Sequence, residues 1–262
     1  MVIITSRQNP LIAETAKLKE KKYREEKKSF LFEGIKLTRE AIANNIDITH
    51  IFLTERCAQK YPDIAQRNDS VIISESVCSK LSENYSPEGI ICTANYMDNR
   101  HNTCDFAEYN SKNDLFLILY SIQDPGNLGT IMRASAAFGK KNIILSSDCA
   151  DIYNQKTIRA SMGAVFRTST CRTENLFETI NSIKKTGKEV YAAALQKDAK
   201  RLQNLENVNN CCFVLGNEGH GISKEIIECC SGTVIIPMEK DAESLNVSSA
   251  ASVILWEAYR QI

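Results

Sequence analysis

The stretch Leu115-Phe116-Leu117-Ile118-Leu119-Tyr120, followed shortly by Gln123-Asp124-Pro125-Gly126-Asn127-Leu128-Gly129, decides the fold. An unbroken apolar run leaves no wet face, so it predicts a strand covered on both sides. Proline and glycine then turn the chain, and residues 128–138 follow with helical spacing. The same alternation recurs, with strand candidates at 143–145, 190–194, 212–215 and 234–236 and helix candidates at 176–185, 224–230 and 247–259. Such alternation predicts an α/β domain over residues 114–262, built on a mostly parallel sheet. Ligands of these sheets gather outside the carboxyl ends of the strands, so the polar and glycine residues just after each strand are the candidates for function.

Upstream, Leu11, Leu18, Leu31 and Ile35 lie among dense charge, and residues 11–45 read as helical. Within them Lys17, Lys19, Lys21, Lys22, Arg24, Lys27 and Lys28 outnumber Glu20, Glu25 and Glu26. Two accounts stand: a solvated helix face, or a stripe that contacts phosphates. Short β-like runs at 50–53, 71–73 and 89–94 predict a smaller α/β domain over residues 1–96. Residues 97–113 lose the apolar pattern and read as a linker.

Composition narrows the class. The 262 residues are 43% hydrophobic and 24% charged, ordinary values for a globular protein. Lys plus Arg equals Asp plus Glu at 32 each, so no overall basic excess advertises a polyanion partner. There is no basic segment leading into an apolar stretch, and no apolar run of membrane-spanning length. Ten cysteines contain no C-x-x-C pair and accompany only three histidines, which predicts reduced thiols, no metal site and a cytoplasmic protein.

Three segments that follow strands carry candidate chemistry. In the first, Asn127 stands near a helix start, where an N-cap is the ordinary role. Arg133 follows beside Ala134, Ala136 and Ala137, and a guanidinium buried there would need a partner. The second reads Leu215-Gly216-Asn217-Glu218-Gly219-His220-Gly221-Ile222-Ser223. It is either a tight turn or a loop whose backbone approaches a ligand, with Ser223 capping the next helix and His220 a loop residue. Its spacing is not that of a dinucleotide loop. The third runs from Ile235-Ile236-Pro237-Met238 to Ser244-Leu245-Asn246, where Ser244 or Asn246 caps a final helix with Val247, Ala251, Ile254 and Ala258 on its packed face.

Taken in order, N-x-G-x-x-x-R at Asn127 to Arg133, L-G-N-E-G-x-G at Leu215 to Gly221 and I-P-M…S-L-N-V-S at Ile236 to Ser248 resemble the three motifs of the SpoU family of RNA ribose methyltransferases. The N-terminal Ser6-Arg7-Gln8-Asn9-Pro10 and Phe30-Leu31-Phe32-Glu33-Gly34 are similar to a substrate-binding domain often fused to that family, itself like RNA-binding ribosomal proteins. The resemblance implies a trefoil-knotted C-terminal domain, which the general avoidance of threaded connections would have excluded. It also implies a homodimer with the active site near the interface of two catalytic domains.

The implied reaction moves a methyl group from S-adenosylmethionine to a ribose 2′-hydroxyl of RNA, ribosomal RNA before transfer RNA. The cofactor would be held by Leu215, Gly216, Asn217, Gly219, Ile236, Met238 and Leu245. The catalytic set would be Asn127, Arg133, Glu218, Ser244 and Asn246. A guanidinium is a poor base because its pKa lies above about 12, so Arg133 is expected to clamp a phosphate and stabilise the alkoxide, oriented by Glu218 and Asn127. Lys17, Lys21, Lys22, Arg24 and Lys28 are the expected RNA contacts. A Rossmann-type methyltransferase would place its glycine loop after the first strand, whereas the richest glycine loop here comes late. The remaining alternative is an RNA-binding protein with a degenerate methyltransferase domain.

Overall fold

The computed structural model describes residues 3–97, 115–140, 142–239, 241 and 244–261, so the expected linker, apart from Met97, lies outside the described residues. The first elements are β1 (Ile3–Ile4), α1 (Pro10–Lys17), α2 (Lys21–Lys27), β2 (Ser29–Glu33), α3 (Ile35–Ala43), β3 (Ile48–Thr54), α4 (Glu55–Lys60), α5 (Pro62–Ala65), β4 (Ser70–Ile73), α6 (Glu75–Leu81) and β5 (Ile90–Asn95). From residue 115 come β6 (Phe116–Leu119), α7 (Pro125–Ala137), β7 (Asn142–Ser146), α8 (Gln155–Ser161), β8 (Ser169–Thr173), α9 (Leu176–Lys185) and β9 (Glu189–Ala193). The last are β10 (Lys200–Arg201), β11 (Cys211–Leu215), α10 (Lys224–Cys229), β12 (Gly232–Ile235) and α11 (Val247–Arg260). They gather into two units, residues 1–97 with 151–166 and residues 98–150 with 167–262.

The first unit has a mixed sheet in the order β1-β4-β3-β5-β2. The helix expected through 11–45 is interrupted by β2, which pairs antiparallel with β5. Phe30, Leu31 and Phe32 are consecutive and at most 1% exposed, and a strand covered on both faces buries all three where one helical stripe could not. Lys28, at φ 50°, ends α2 in the left-handed region just before the strand begins. The partner strand lies far along the chain, so local charge spacing misled and tertiary pairing decided.

Residues 151–166 pack into this first unit. The Tyr153 ring stacks on Tyr96 with centroids 3.8 Å apart and lies 4.8 Å from Phe30, and Phe166 meets Phe32 edge-on at 5.3 Å. Arg24 is 3% exposed and donates to Asp151 Oδ2 from Nε at 3.0 Å and from Nη2 at 2.7 Å. Its Nη1 donates to the carbonyls of Leu18 and Lys19 at 2.9 and 2.7 Å. A buried guanidinium is tolerable when its donors are used in this way.

The second unit is a seven-stranded sheet in the order β10-β12-β9-β11-β6-β7-β8, parallel at every pairing. Phe116, Ile118, Val190 and Val214 pack with Ile180 of α9 and Ile226 of α10 on one face. The alternate residues Leu117, Leu119, Leu145 and Phe213 are buried too, so both faces are covered, as continuous apolar strands require. α11 packs along α7. The sequence did not single out β8 or β10: β8 reads Ser-Thr-Cys-Arg-Thr, and β10 has only two residues.

Cys57, Cys78, Cys92, Cys149, Cys211, Cys212, Cys229 and Cys230 are free thiols, and all but Cys229 are buried. Cys171 differs from the expectation of reduced thiols and is disulfide-bonded. Burial pushes the Cys92 and Cys212 thiols up to about 12, so they serve as small hydrophobic groups. Among the described residues no cluster could hold a metal ion, and no helix is long and apolar enough to cross a membrane.

Candidate active site

The site begins with a helix cap. Asp124, not Asn127, caps α7, accepting from the Asn127 backbone N–H at 2.8 Å, and Pro125 takes the first helical turn where a missing N–H costs nothing. The Asn127 side chain is thereby released from the capping role expected of it. Its Nδ2 donates to Glu218 Oε1, and its Oδ1 accepts from Asn246 Nδ2 at 3.0 Å. One amide thus joins all three motif segments.

Each partner is held by its own loop. Asn217 Oδ1 accepts from the Gly219 and His220 N–H groups at 2.8 and 3.2 Å, and its Nδ2 donates to the Ser121 carbonyl at 2.8 Å. Those bonds fold the turn that carries Glu218 and pin it to the end of β6. Gly216 is required inside this turn: a Cβ there would stand 2.5 Å from the Gly221 carbonyl group. Its close approach is therefore to its own loop. Ser223 caps α10 as expected. Asn246 caps α11, accepting from Ser248 N at 2.9 Å and Ser249 N at 3.3 Å, which leaves its Nδ2 for Asn127.

Beside Asn246, at the carboxyl ends of β9 and β12, lies a cleft of about 140 Å³ lined by Ile236, Met238, Ser244 and Leu245. Ala194 and Leu195, after β9, line it as well. Sequence reading did not select these two, although the rule that ligands collect at strand ends applies to β9 as well. Among the described residues no charged side chain lines the cleft. Leu215, Gly216, Asn217 and Gly219 do not line it; Leu215 is buried in β11, and the other three shape the Glu218 turn.

Arg133 departs from its expected surroundings. It is exposed, with no hydrogen bond or ion pair among the described residues, so Glu218 and Asn127 do not orient it within this chain. Six residues along an α-helix turn a side chain away from the starting face, which separates Arg133 from Asn127.

The expected RNA contacts also divide. Lys17, Lys21, Lys22 and Lys28 are exposed. Lys17 pairs with Glu14 at 2.6 Å and Lys21 with Glu25 at 3.5 Å, while Lys22 and Lys28 lie over the rings of Tyr23 and Tyr96. Arg24 is withdrawn from that surface by its buried pair with Asp151.

Comparison with known proteins identifies the family. Residues 114–256 match the SpoU rRNA Methylase family, and residues 9–92 match the MRM3-like substrate binding domain. The chain is 31% identical to an uncharacterized tRNA/rRNA methyltransferase of Synechocystis, over 98% of this chain and 93% of that one. It is 29% identical to the 23S rRNA (guanosine(2553)-2′-O)-methyltransferase RlmP of Bacillus subtilis, over 97% of each. An AdoMet-bound rRNA methyltransferase from Sinorhizobium meliloti superposes with a TM-score of 0.83 at 25% identity, covering 100% of this chain and 98% of that one. The three converging motif segments and these matches together establish that the chain belongs to the SpoU rRNA methylase family.

Proposed function

We propose that this protein methylates a ribose 2′-hydroxyl of ribosomal RNA, using S-adenosylmethionine, in the cytoplasm. The observation that carries this is the bridge by which Asn127 ties Glu218 and Asn246 together beside the apolar cleft. The cleft fits the methyl donor's adenine ring: apolar side chains can sandwich a flat ring while strand-end backbone groups read its edge. Bound there, S-adenosylmethionine supplies a methyl group on an electrophilic sulfonium.

The chain's own residues do the positioning. The Asn127 bridge keeps the first and third motif segments in register with the Glu218 turn, and accurate placement supplies much of the acceleration of a displacement reaction. Ser244 and Leu245 form part of the cleft wall. The exposed Arg133 guanidinium clamps an RNA phosphate and stabilises the developing alkoxide while water takes the hydroxyl proton. It does so in a homodimer formed through this unit, where a second protomer completes what one chain leaves open. Trp256 is 51% and Tyr259 50% exposed on α11, and Phe138 at the end of α7 packs against both, giving an apolar face suited to a second copy. The trefoil-knotted path belongs to the same proposal.

The test is transfer of labelled methyl from S-adenosylmethionine to total RNA of a deletion strain, followed by mapping of the modified nucleotide. Label in ribosomal RNA at a 2′-oxygen is expected; label only in transfer RNA would move the substrate, and none would refute the activity. Arg133→Lys should lower single-turnover methylation by roughly a hundredfold or more, as loss of a directed transition-state contact does. Near-full activity in that variant would remove the role given to Arg133.

A further inference from the structure

The sequence marks Phe30-Leu31-Phe32-Glu33-Gly34, yet nothing in the methyl-transfer site uses it. In the first unit this turn lines a cavity of about 300 Å³ together with Lys36, Glu88, Gln155, Arg159 and Met162. We propose that this cavity takes one unpaired nucleobase of an RNA strand, with the hydrogen-bonding edge of guanine. The proposal rests on RNA being the substrate.

Gln155 is 9% exposed, and its Nε2 is buried with no hydrogen-bond partner among the described residues. A buried donor left unmade is costly, so the Gln155 amide gains by turning toward an acceptor that enters the cavity. The two acids of the cavity differ. Glu33 is already engaged, accepting from Ser82 Oγ at 2.5 Å and from the Glu88 backbone N–H at 2.8 Å. The Glu88 carboxylate accepts no side-chain or backbone donor among the described residues, and it lies against Gly34, where a Cβ would stand 3.0 Å from Oε2. Gly34, at φ +109°, both permits the turn and leaves that carboxylate its room.

These groups select the ligand. The open Glu88 carboxylate shares the cavity with the Lys36 and Arg159 side chains. It suits two adjacent N–H donors, as on guanine N1 and N2, while the Gln155 amide suits the neighbouring O6. Phe32 and Leu37 supply apolar wall for a flat ring. A second hollow shares Ile35 and Glu88 with the first and is lined by Arg56, Lys60 and Tyr61. Lys60 and Arg39 lie over the Tyr61 ring at 5.3 and 5.8 Å, and Arg56 forms no ion pair among the described residues. Basic and aromatic groups together suit the phosphate and base of a neighbouring nucleotide, which favours a strand over a free nucleotide.

The experiment measures binding of the full chain to fluorescent uridine hexamers carrying one central guanosine, inosine, adenosine or uridine. Guanosine should bind about tenfold tighter than adenosine or uridine, with inosine between, as expected for a paired edge contact. Glu88→Gln should erase the preference, Gln155→Leu should weaken the guanosine hexamer several-fold, and Arg56→Ala should weaken all four hexamers alike. The urea unfolding midpoint of the first unit should stay near that of the parent chain in each variant and reports that its fold is intact, while S-adenosylmethionine binding, measured by calorimetry, should stay unchanged. Equal affinity for the four hexamers, or an undiminished preference in Glu88→Gln, overturns the pocket. Methylation of RNA without any such preference overturns the pocket alone, whereas neither binding nor methylation of any RNA overturns the substrate assignment and the pocket with it. Free GMP binding as tightly as the hexamer, with Arg56→Ala silent, also overturns it, because the occupant would be a mononucleotide.

Discussion

Asn246 donates its side-chain amide to Asn127 Oδ1 at 3.0 Å across 119 residues of chain, while its own Oδ1 caps α11. The two halves of one side chain therefore do separate work. Asn246→Asp keeps the cap acceptor and loses the donor to Asn127, so thermal stability should change little while methylation falls by about tenfold or more. Asn246→Ala loses both and should cost about 1 kcal/mol of stability as well. Denaturant melts beside single-turnover rates separate the two effects; equal activity in Asn246→Asp and the parent chain would remove the bridge from the mechanism.

The buried pair of Arg24 and Asp151 should matter for folding of the first unit and not for RNA affinity. Arg24→Ala leaves Asp151 without its guanidinium partner and should destabilise by about 3–5 kcal/mol, the range for breaking a buried pair from one side. Arg24→Met with Asp151→Leu should recover much of that loss. Urea unfolding followed by Tyr fluorescence checks this, and a milder effect in Arg24→Ala than in Lys21→Ala would contradict it.

Asp148 gives the loop after β7 a pH dependence. Partial burial pushes its carboxyl up, but hydrogen bonds from the Ser121 and Ser146 hydroxyls outweigh that and hold it below the ordinary carboxylate range. A carboxyl lowered in the folded state stabilises above its unfolded value and loses that contribution as pH falls through the folded one. Stability should therefore decline on acidification below about pH 4, and Asp148→Asn should flatten that decline. Urea midpoints from neutral to acid pH measure it; parallel curves for the two proteins would refute it.

The aromatic face of Phe138, Trp256 and Tyr259 should hold two copies together. Trp256→Asp places a charge in that face and should shift sedimentation from dimer to monomer at micromolar concentration, with methylation falling alongside. A wild-type chain that sediments as a monomer throughout would leave Arg133 without the second protomer proposed for it.

Sequence by itself determined the strand and helix series of the second unit apart from β8 and β10, because unbroken apolar runs and glycine-bearing turns report burial locally. Through the order of the three motifs it also put forward Asn127, Arg133, Glu218, Ser244 and Asn246 as catalytic candidates. Tertiary structure alone decided which of Asp124 and Asn127 caps α7, and that choice freed Asn127 to join three segments. It turned 29–33 from helix to strand by pairing with β5, and drew Arg24 out of a basic stripe by offering Asp151. The reason is common to all three: spacing records a residue's neighbours along the chain, whereas hydrogen-bond and ion-pair partners are chosen by what folding brings within about 3 Å.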